Sequence, residues 1–130
     1  MKWKFTCLVV DDDPGIRELV ALNLEAEGIG VHLSDSGIGV EEMVERLQPD
    51  VILLDVMMPG RDGYEVLGAL KSSEATRHIP VVLLTAKSSD AETWQGWQAG
   101  ADYYLTKPFN IDQLAHYLHM VFKERSTVRR

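Results

Sequence analysis

Four positions in this 130-residue chain carry side chains suited to phosphate or metal chemistry, and each follows an apolar run. Asp11-Asp12-Asp13 follows Phe5 to Val10, Asp55 follows Val51 to Leu54, Thr85 follows Val81 to Leu84, and Lys107-Pro108 comes just after Tyr103 to Leu105. Carboxylates crowded together repel one another unless a cation or protons compensate them. A hard divalent ion with oxygen ligands suits such a group, and Mg²⁺ suits a few carboxylates together with water and phosphate. Asp55 is then a candidate carboxylate nucleophile. Lys107 offers a point charge and Thr85 a hydroxyl to the oxygens of an incoming phosphoryl group, a reaction that depends mostly on positioning and electrostatics. Taken singly, each residue has a plainer reading. An Asp after a strand usually caps a turn or helix, as expected of Asp13 before Pro14, Thr85 could cap a loop, and a lone Lys is usually solvated. The chemical reading depends on all of them meeting.

That meeting is set by the elements between them. Five short apolar runs, with Gly30 to Leu33 as the second, alternate with amphipathic stretches. Several runs are nearly continuous in Val, Ile and Leu, as strands covered on both faces are. Helical spacing follows in Ile16, Leu19, Val20 and Leu24 up to Gly28; in Val40, Met43, Val44 and Leu47 before Pro49; and in Tyr64, Val66, Leu67 and Leu70 after Asp62-Gly63. A fourth stretch holds Ala91, Trp94 and Trp97 up to Gly100, and a fifth holds Ile111, Leu114, Ala115, Leu118, Val121 and Phe122. Asn110 is placed to cap the last, with Gln113 at the capping-box position. This alternation predicts a parallel sheet with right-handed crossovers. In so short a chain it fits a flavodoxin-like doubly wound α/β fold with five strands in the order 2-1-3-4-5. Strands one, three, four and five are then neighbours, and the four positions converge at their carboxyl ends.

Composition narrows the setting. A net charge of −7 argues against a surface built for nucleic acid or anionic lipid. The single cysteine, Cys7, lies in an apolar run without a disulfide partner and suits a reducing compartment, as a small buried hydrophobe. No stretch is long enough to span a bilayer, and the first residues reach charge too soon for a signal peptide, so a cytoplasmic location is expected. Trp94 and Trp97 share a helix face and are expected in the core. His116 and His119 lack metal-binding companions at ligand spacing and are expected to face solvent. Gly37 and Gly39 are expected to weaken the start of the second helix, each by about 1 kcal/mol. Residues 1–124 form one expected domain, with 125–130 a charged tail or the start of a linker.

Four segments together resemble the signature blocks of response regulator receiver domains. They are Leu8 to Asp13, Val51-Ile-Leu-Leu-Asp55-Val-Met-Met-Pro-Gly60, Leu83-Leu-Thr85-Ala86, and Gly100-Ala-Asp-Tyr-Tyr104-Leu-Thr-Lys107-Pro-Phe109. The resemblance runs from about Phe5 to Phe122. It implies that Asp55 is the phosphoacceptor, that Asp12 ligates Mg²⁺ directly and Asp11 through water, and that the Met57 backbone carbonyl is a further ligand. It also implies that Thr85 and Lys107 contact the phosphoryl group, and that Tyr104 is a switch residue turning inward as Thr85 moves. Met57 and Lys87 match positions that tune dephosphorylation. The implied donor is a phosphohistidine of a sensor kinase or histidine phosphotransfer protein. The implied output is an effector partner or domain, or a homodimer through the fourth helical stretch, the fifth strand and the fifth helical stretch. The chain is then a signalling domain and not an enzyme acting on a separate substrate. Tyr103, His116 and His119 depart from the charged set common in receivers joined to winged-helix DNA-binding domains, which weighs against that dimer mode and that subgroup.

Two other classes compete. A haloacid-dehalogenase-like phosphatase would use Asp11 and Asp13, but it leaves the Asp55 segment unexplained and needs a cap. A flavodoxin-like electron carrier would need Ser, Thr and Gly after the first strand, where Asp11-Asp12-Asp13 would repel an FMN phosphate.

Overall fold

The computed structural model describes residues 4–86 and 100–128. Its strands are β1 (Phe5–Val10), β2 (Ile29–Ser34), β3 (Val51–Asp55), β4 (Val81–Thr85) and β5 (Tyr103–Thr106). The helices are α1 (Pro14–Ala26), α2 (Val40–Leu47), α3 (Gly63–Ser72) and α4 (Ile111–Val128). All strand pairs are parallel and the sheet order is β2-β1-β3-β4-β5, as the alternating pattern predicts. The stretch with Ala91, Trp94 and Trp97, expected as a further helix, and Lys87 lie outside the described residues.

Alternation along each strand divides the core in two. Leu8, Val10, Ile52, Leu54, Val81 and Leu83 pack with Val40 and Val44 of α2 and Val66, Leu67 and Leu70 of α3. Cys7, Val9, Val51, Leu53, Val82, Leu84 and Leu105 face the other way, onto Val20 and Leu24 of α1 and Leu114, Leu118, Val121 and Phe122 of α4. The near-continuous apolar runs follow from this: β3 and β4 are buried along their whole length. Full burial of one such Leu or Val stabilises by about 2 kcal/mol, which holds the strand ends in place. β2, at the edge, exposes His32 and Leu33.

Local details differ from the sequence reading where tertiary contacts intervene. Leu19 shares the α1 spacing but stays exposed, because it falls beside the stripe that Val20 and Leu24 present to the sheet. Gly37 and Gly39 precede α2 and do not weaken its interior. Gly39 is its N-cap at φ 76°, a left-handed conformation that a side chain would strain. The last helix runs on through Val128, past residue 124. Asp13 and Asp62 cap α1 and α3, accepting from the Gly15 and Glu65 amides at 2.8 and 2.9 Å. Asn110 caps α4 through the Asp112 amide at 2.7 Å. His116 and His119 are exposed as expected, His119 Nε2 lying 3.6 Å from Glu27 Oε1. Cys7 is fully buried and free, and desolvation, with a further push from the Asp50 charge, raises its thiol pKa.

Candidate functional site at the carboxyl ends of the strands

Hydrogen bonds just beyond the strands fix the backbone of the candidate residues. The Asp11 amide donates to Ser34 O at 3.1 Å, the Val56 amide to Leu84 O at 3.0 Å, and the Lys107 amide to Thr85 O at 2.7 Å. Asp55 and Thr85 are the last residues of β3 and β4. Their side chains therefore leave the sheet at one edge, where β1, β3, β4 and β5 lie side by side. Gly63 sits directly against this edge. A Cβ there would stand 2.3 Å from Asp55 O, so no other residue fits, and its amide donates to Val56 O at 2.8 Å.

The side chains converge. Carboxylate oxygens of Asp11, Asp12 and Asp55 all lie within 4.8 Å of one another. Lys107 Nζ lies 2.7 Å from Asp11 Oδ2 and 3.5 Å from Asp55 Oδ1. Asp11, Asp55 and Thr85 are buried, whereas Asp12 is exposed at the mouth. Asp11 Oδ1 accepts from the Asp13 amide at 2.9 Å, and Asp55 Oδ1 from the Met57 amide at 3.2 Å. Asp11 Oδ2 is sealed from solvent and has no aligned hydrogen-bond donor; the nearby ammonium serves it as an ion-pair partner only.

The electrostatics follow from this crowding. Burial first, and then the Asp11 charge, push Asp55 up to about 7, against the opposing pull of Lys107 and the Met57 amide. Burial alone would lower Lys107, but its close pairing with Asp11 and the charges of Asp11 and Asp55 outweigh burial and raise it. Among the described residues three carboxylates thus share one ammonium, and an excess of negative charge remains. An all-oxygen cluster with a buried oxygen lacking an aligned donor fits a hard divalent cation.

Asp11, Asp12, Asp55 and Lys107 meet as expected, and Thr85 stands buried at the end of the adjacent strand β4. Tyr104 lies on β5, half-buried against the cluster that includes Val56 and Met58. Met57 is 70% exposed at the rim. Two supporting residues were not expected from the sequence. Arg17 Nη1 donates to Asp11 O at 2.8 Å, and Arg61 reaches from the segment after β3 to Gly37 and Glu41. The Arg61 contacts depend on how segments remote in sequence pack together, whereas the Arg17 contact is a local one from α1 back to the end of β1.

Comparison with known proteins agrees with this geometry. The model of the response regulator receiver domain matches residues 7–119. The chain is 44% identical over 107 residues to the DNA-binding dual master transcriptional regulator RpaA of Synechocystis, covering 82% of this chain and 44% of that protein. It is 39% identical over 118 residues to the phosphate regulon transcriptional regulatory protein PhoB of Pseudomonas aeruginosa, covering 91% and 52%. The chain spans about half the length of the curated relatives it matches. Among solved structures, the receiver domain of the Francisella response regulator 1452 superposes with a TM-score of 0.87 at 32% identity, covering 94% of this chain and 99% of that one. Vibrio cholerae CheY4 gives 0.85 at 31%, covering 90% and 98%. The chain therefore belongs to the response regulator receiver domain family of two-component systems. This membership sets aside the phosphatase and electron-carrier readings. Tyr103, His116 and His119 also coexist with clear similarity to regulators named as DNA-binding or transcriptional.

Proposed function

We propose that this domain accepts a phosphoryl group on Asp55 in a Mg²⁺-dependent reaction and relays its arrival to an output partner or domain. The observation that carries the reading is the meeting of Asp11, Asp12 and Asp55 within 4.8 Å, with Lys107 against both buried acids. Asp12, Asp11, Asp55 and the Met57 carbonyl are the groups that would hold the cation. When bound, Mg²⁺ supplies positive charge that favours ionised Asp55 and neutralises phosphoryl oxygens.

The chain's own residues do the rest. The ionised Asp55 carboxylate attacks phosphorus, the new P–O bond forms as the P–N bond of a phosphohistidine breaks, and the departing imidazole takes up the electron pair and, at neutral pH, a proton. Lys107 follows the negative charge onto the transferred group. Thr85, at the end of β4, donates its hydroxyl to a phosphoryl oxygen. Tyr104, on the adjacent strand, fills the space that Thr85 vacates, which alters the β4–β5 face. Met57 at the rim, with Lys87, governs water access and so the lifetime of the acyl phosphate. The domain serves as a switch and promotes only its own phosphorylation and dephosphorylation. Its donors are a sensor histidine kinase or a histidine phosphotransfer protein. Residues 1–124 form the switch and 125–130 a charged tail or the start of a linker, with homodimerisation through the fourth helical stretch, β5 and α4 as one output. None of the described helices is long and apolar enough to cross a membrane, and a cytoplasmic setting fits this role.

Acetyl phosphate with Mg²⁺ should add one phosphoryl group, measured by intact-protein mass. Asp55→Asn should reduce labelling by at least about a hundredfold, since the nucleophile is lost. Undiminished labelling of that variant would reject the assignment.

A further inference from the structure

We infer that Arg61 is a positioning residue for the cation site: its ion pair with Glu41 holds the segment after β3, and with it the Met57 carbonyl, in place before the cation arrives. This rests on the functional reading above. The segment from Val56 to Asp62 leaves the sheet beside Asp55 and returns at Gly63, and Met57, Pro59 and Gly60 within it are exposed. Val56 and Met58 anchor its first half in the core, and Arg61 restrains the exposed half that follows. Its Nη2 donates to Glu41 Oε2 at 2.7 Å, its Nη1 bonds the other Glu41 oxygen, and the same Nη1 donates to Gly37 O at 3.1 Å. The two-pronged fit matches a planar guanidinium to a carboxylate, a geometry that Lys cannot reproduce.

Exposed ion pairs often contribute nothing measurable. This one differs in having three bonds and side chains 23% and 36% exposed. The bond with Arg61 lowers Glu41, and the same bond raises Arg61. Backbone packing reinforces the contact. A Cβ at Gly37 would stand 2.9 Å from Val66 Cγ2 and 3.1 Å from Arg61 O, so the two segments meet without room for a side chain. Glu41 lies in the first turn of α2. The clamp therefore ties the metal-bearing segment to a helix whose Val40 and Val44 are in the core. Outer contacts that fix ligand geometry commonly set metal affinity.

Calorimetric titration of the unphosphorylated chain with MgCl₂ tests this. Arg61→Ala, Arg61→Lys and Glu41→Gln should each weaken Mg²⁺ binding by about tenfold, and the reversed pair Arg61→Glu with Glu41→Arg should regain most of the loss. A pure charge effect predicts otherwise. Removing the Arg61 cation would then tighten Mg²⁺ binding, and Arg61→Lys would leave it unchanged. Either of those results overturns the clamp, as does failure of the reversed pair to recover. Arg61→Lys keeps charge and bulk, so it decides the matter even if Arg61→Ala folds poorly. If the unaltered chain binds no Mg²⁺ and takes no phosphoryl group, the site reading itself fails; if it does both and Arg61→Lys binds equally well, only the clamp fails.

Discussion

Strand β3 has a buried carboxylate at each end, and the two live in opposite circumstances. Asp50, just before the strand, accepts the Thr6 amide at 2.8 Å, while its own amide donates to Thr6 O at 2.9 Å. It is part of the joint between β1 and β3. Asp55, at the far end, shares its surroundings, among the described residues, with two more carboxylates and one ammonium. Burial alone therefore does not mark a functional acid. Asp50 is matched by a backbone donor that the fold supplies, and Asp55 is left with too much like charge nearby and too little compensation. Such unrelieved crowding costs stability and is retained where an incoming cation or phosphoryl group can use it.

The comparison can be broken most forcefully at Lys107. Lys107→Ala leaves Asp11 and Asp55 without their ammonium and should cost about 3 kcal/mol in a Mg²⁺-free urea melt. Mg²⁺ should restore much of that loss, because it supplies the missing charge. A loss of the same size with and without Mg²⁺ would show that the lysine matters only as packing. At the other end, Asp50→Ala strands the Thr6 amide and should cost about 2 kcal/mol. Here Mg²⁺ should make no difference to the loss, and acetyl phosphate should still label the folded fraction. Mg²⁺-dependent rescue of Asp50→Ala would erase the distinction between the two ends.

Titration sharpens the contrast. Burial and the Asp11 charge push Asp55 up to about 7 in the folded chain against 3.8 for an ordinary Asp, so the folded state binds more protons between those values. Stability from this group is greatest at the acid side and is lost as pH rises toward 7. A shift in this direction should be worth on the order of 2 kcal/mol. Glu41, lowered by its bond with Arg61, contributes with the opposite sign, its stability being lost as pH falls through its ordinary range. Urea melts from pH 5 to 8 without Mg²⁺ should therefore show declining stability, and Asp55→Asn should flatten the decline. A slope unchanged in Asp55→Asn would assign it to other groups. The smallest effect is that of the cation on the intact site. Mg²⁺ at ten times its Kd should stabilise by about 1.4 kcal/mol, and a thermal melt should rise by about 4 °C. Asp12→Ala should remove most of that rise, and a melt indifferent to Asp12 would place the cation elsewhere.

Much of this is legible in the amino-acid sequence. The Val, Ile and Leu runs of β3 and β4 announced strands buried on both faces, and their alternation with amphipathic stretches gave the parallel order β2-β1-β3-β4-β5. That order in turn brought Asp11, Asp12, Asp55, Thr85 and Lys107 to one edge, because parallel strands place all their carboxyl ends on the same side. Pattern recorded these features because each is a property of local sequence. The role of Gly39 was not legible, since whether a glycine lies inside a helix or caps it depends on where the chain turns. Leu19 shared the helical spacing of Val20 and Leu24, and only packing showed it to be outside the stripe.

The amino-acid sequence by itself determined which groups are available and on which edge of the sheet they gather, because strand and helix periodicities are written residue by residue. Tertiary structure alone decided which acid is satisfied and which is strained. It set Asp50 against the Thr6 amide, Lys107 against Asp11, and Arg61 against Glu41 across twenty residues of chain. Those outcomes depend on distances of a few ångströms between segments remote in sequence, and charge interactions are settled at that scale.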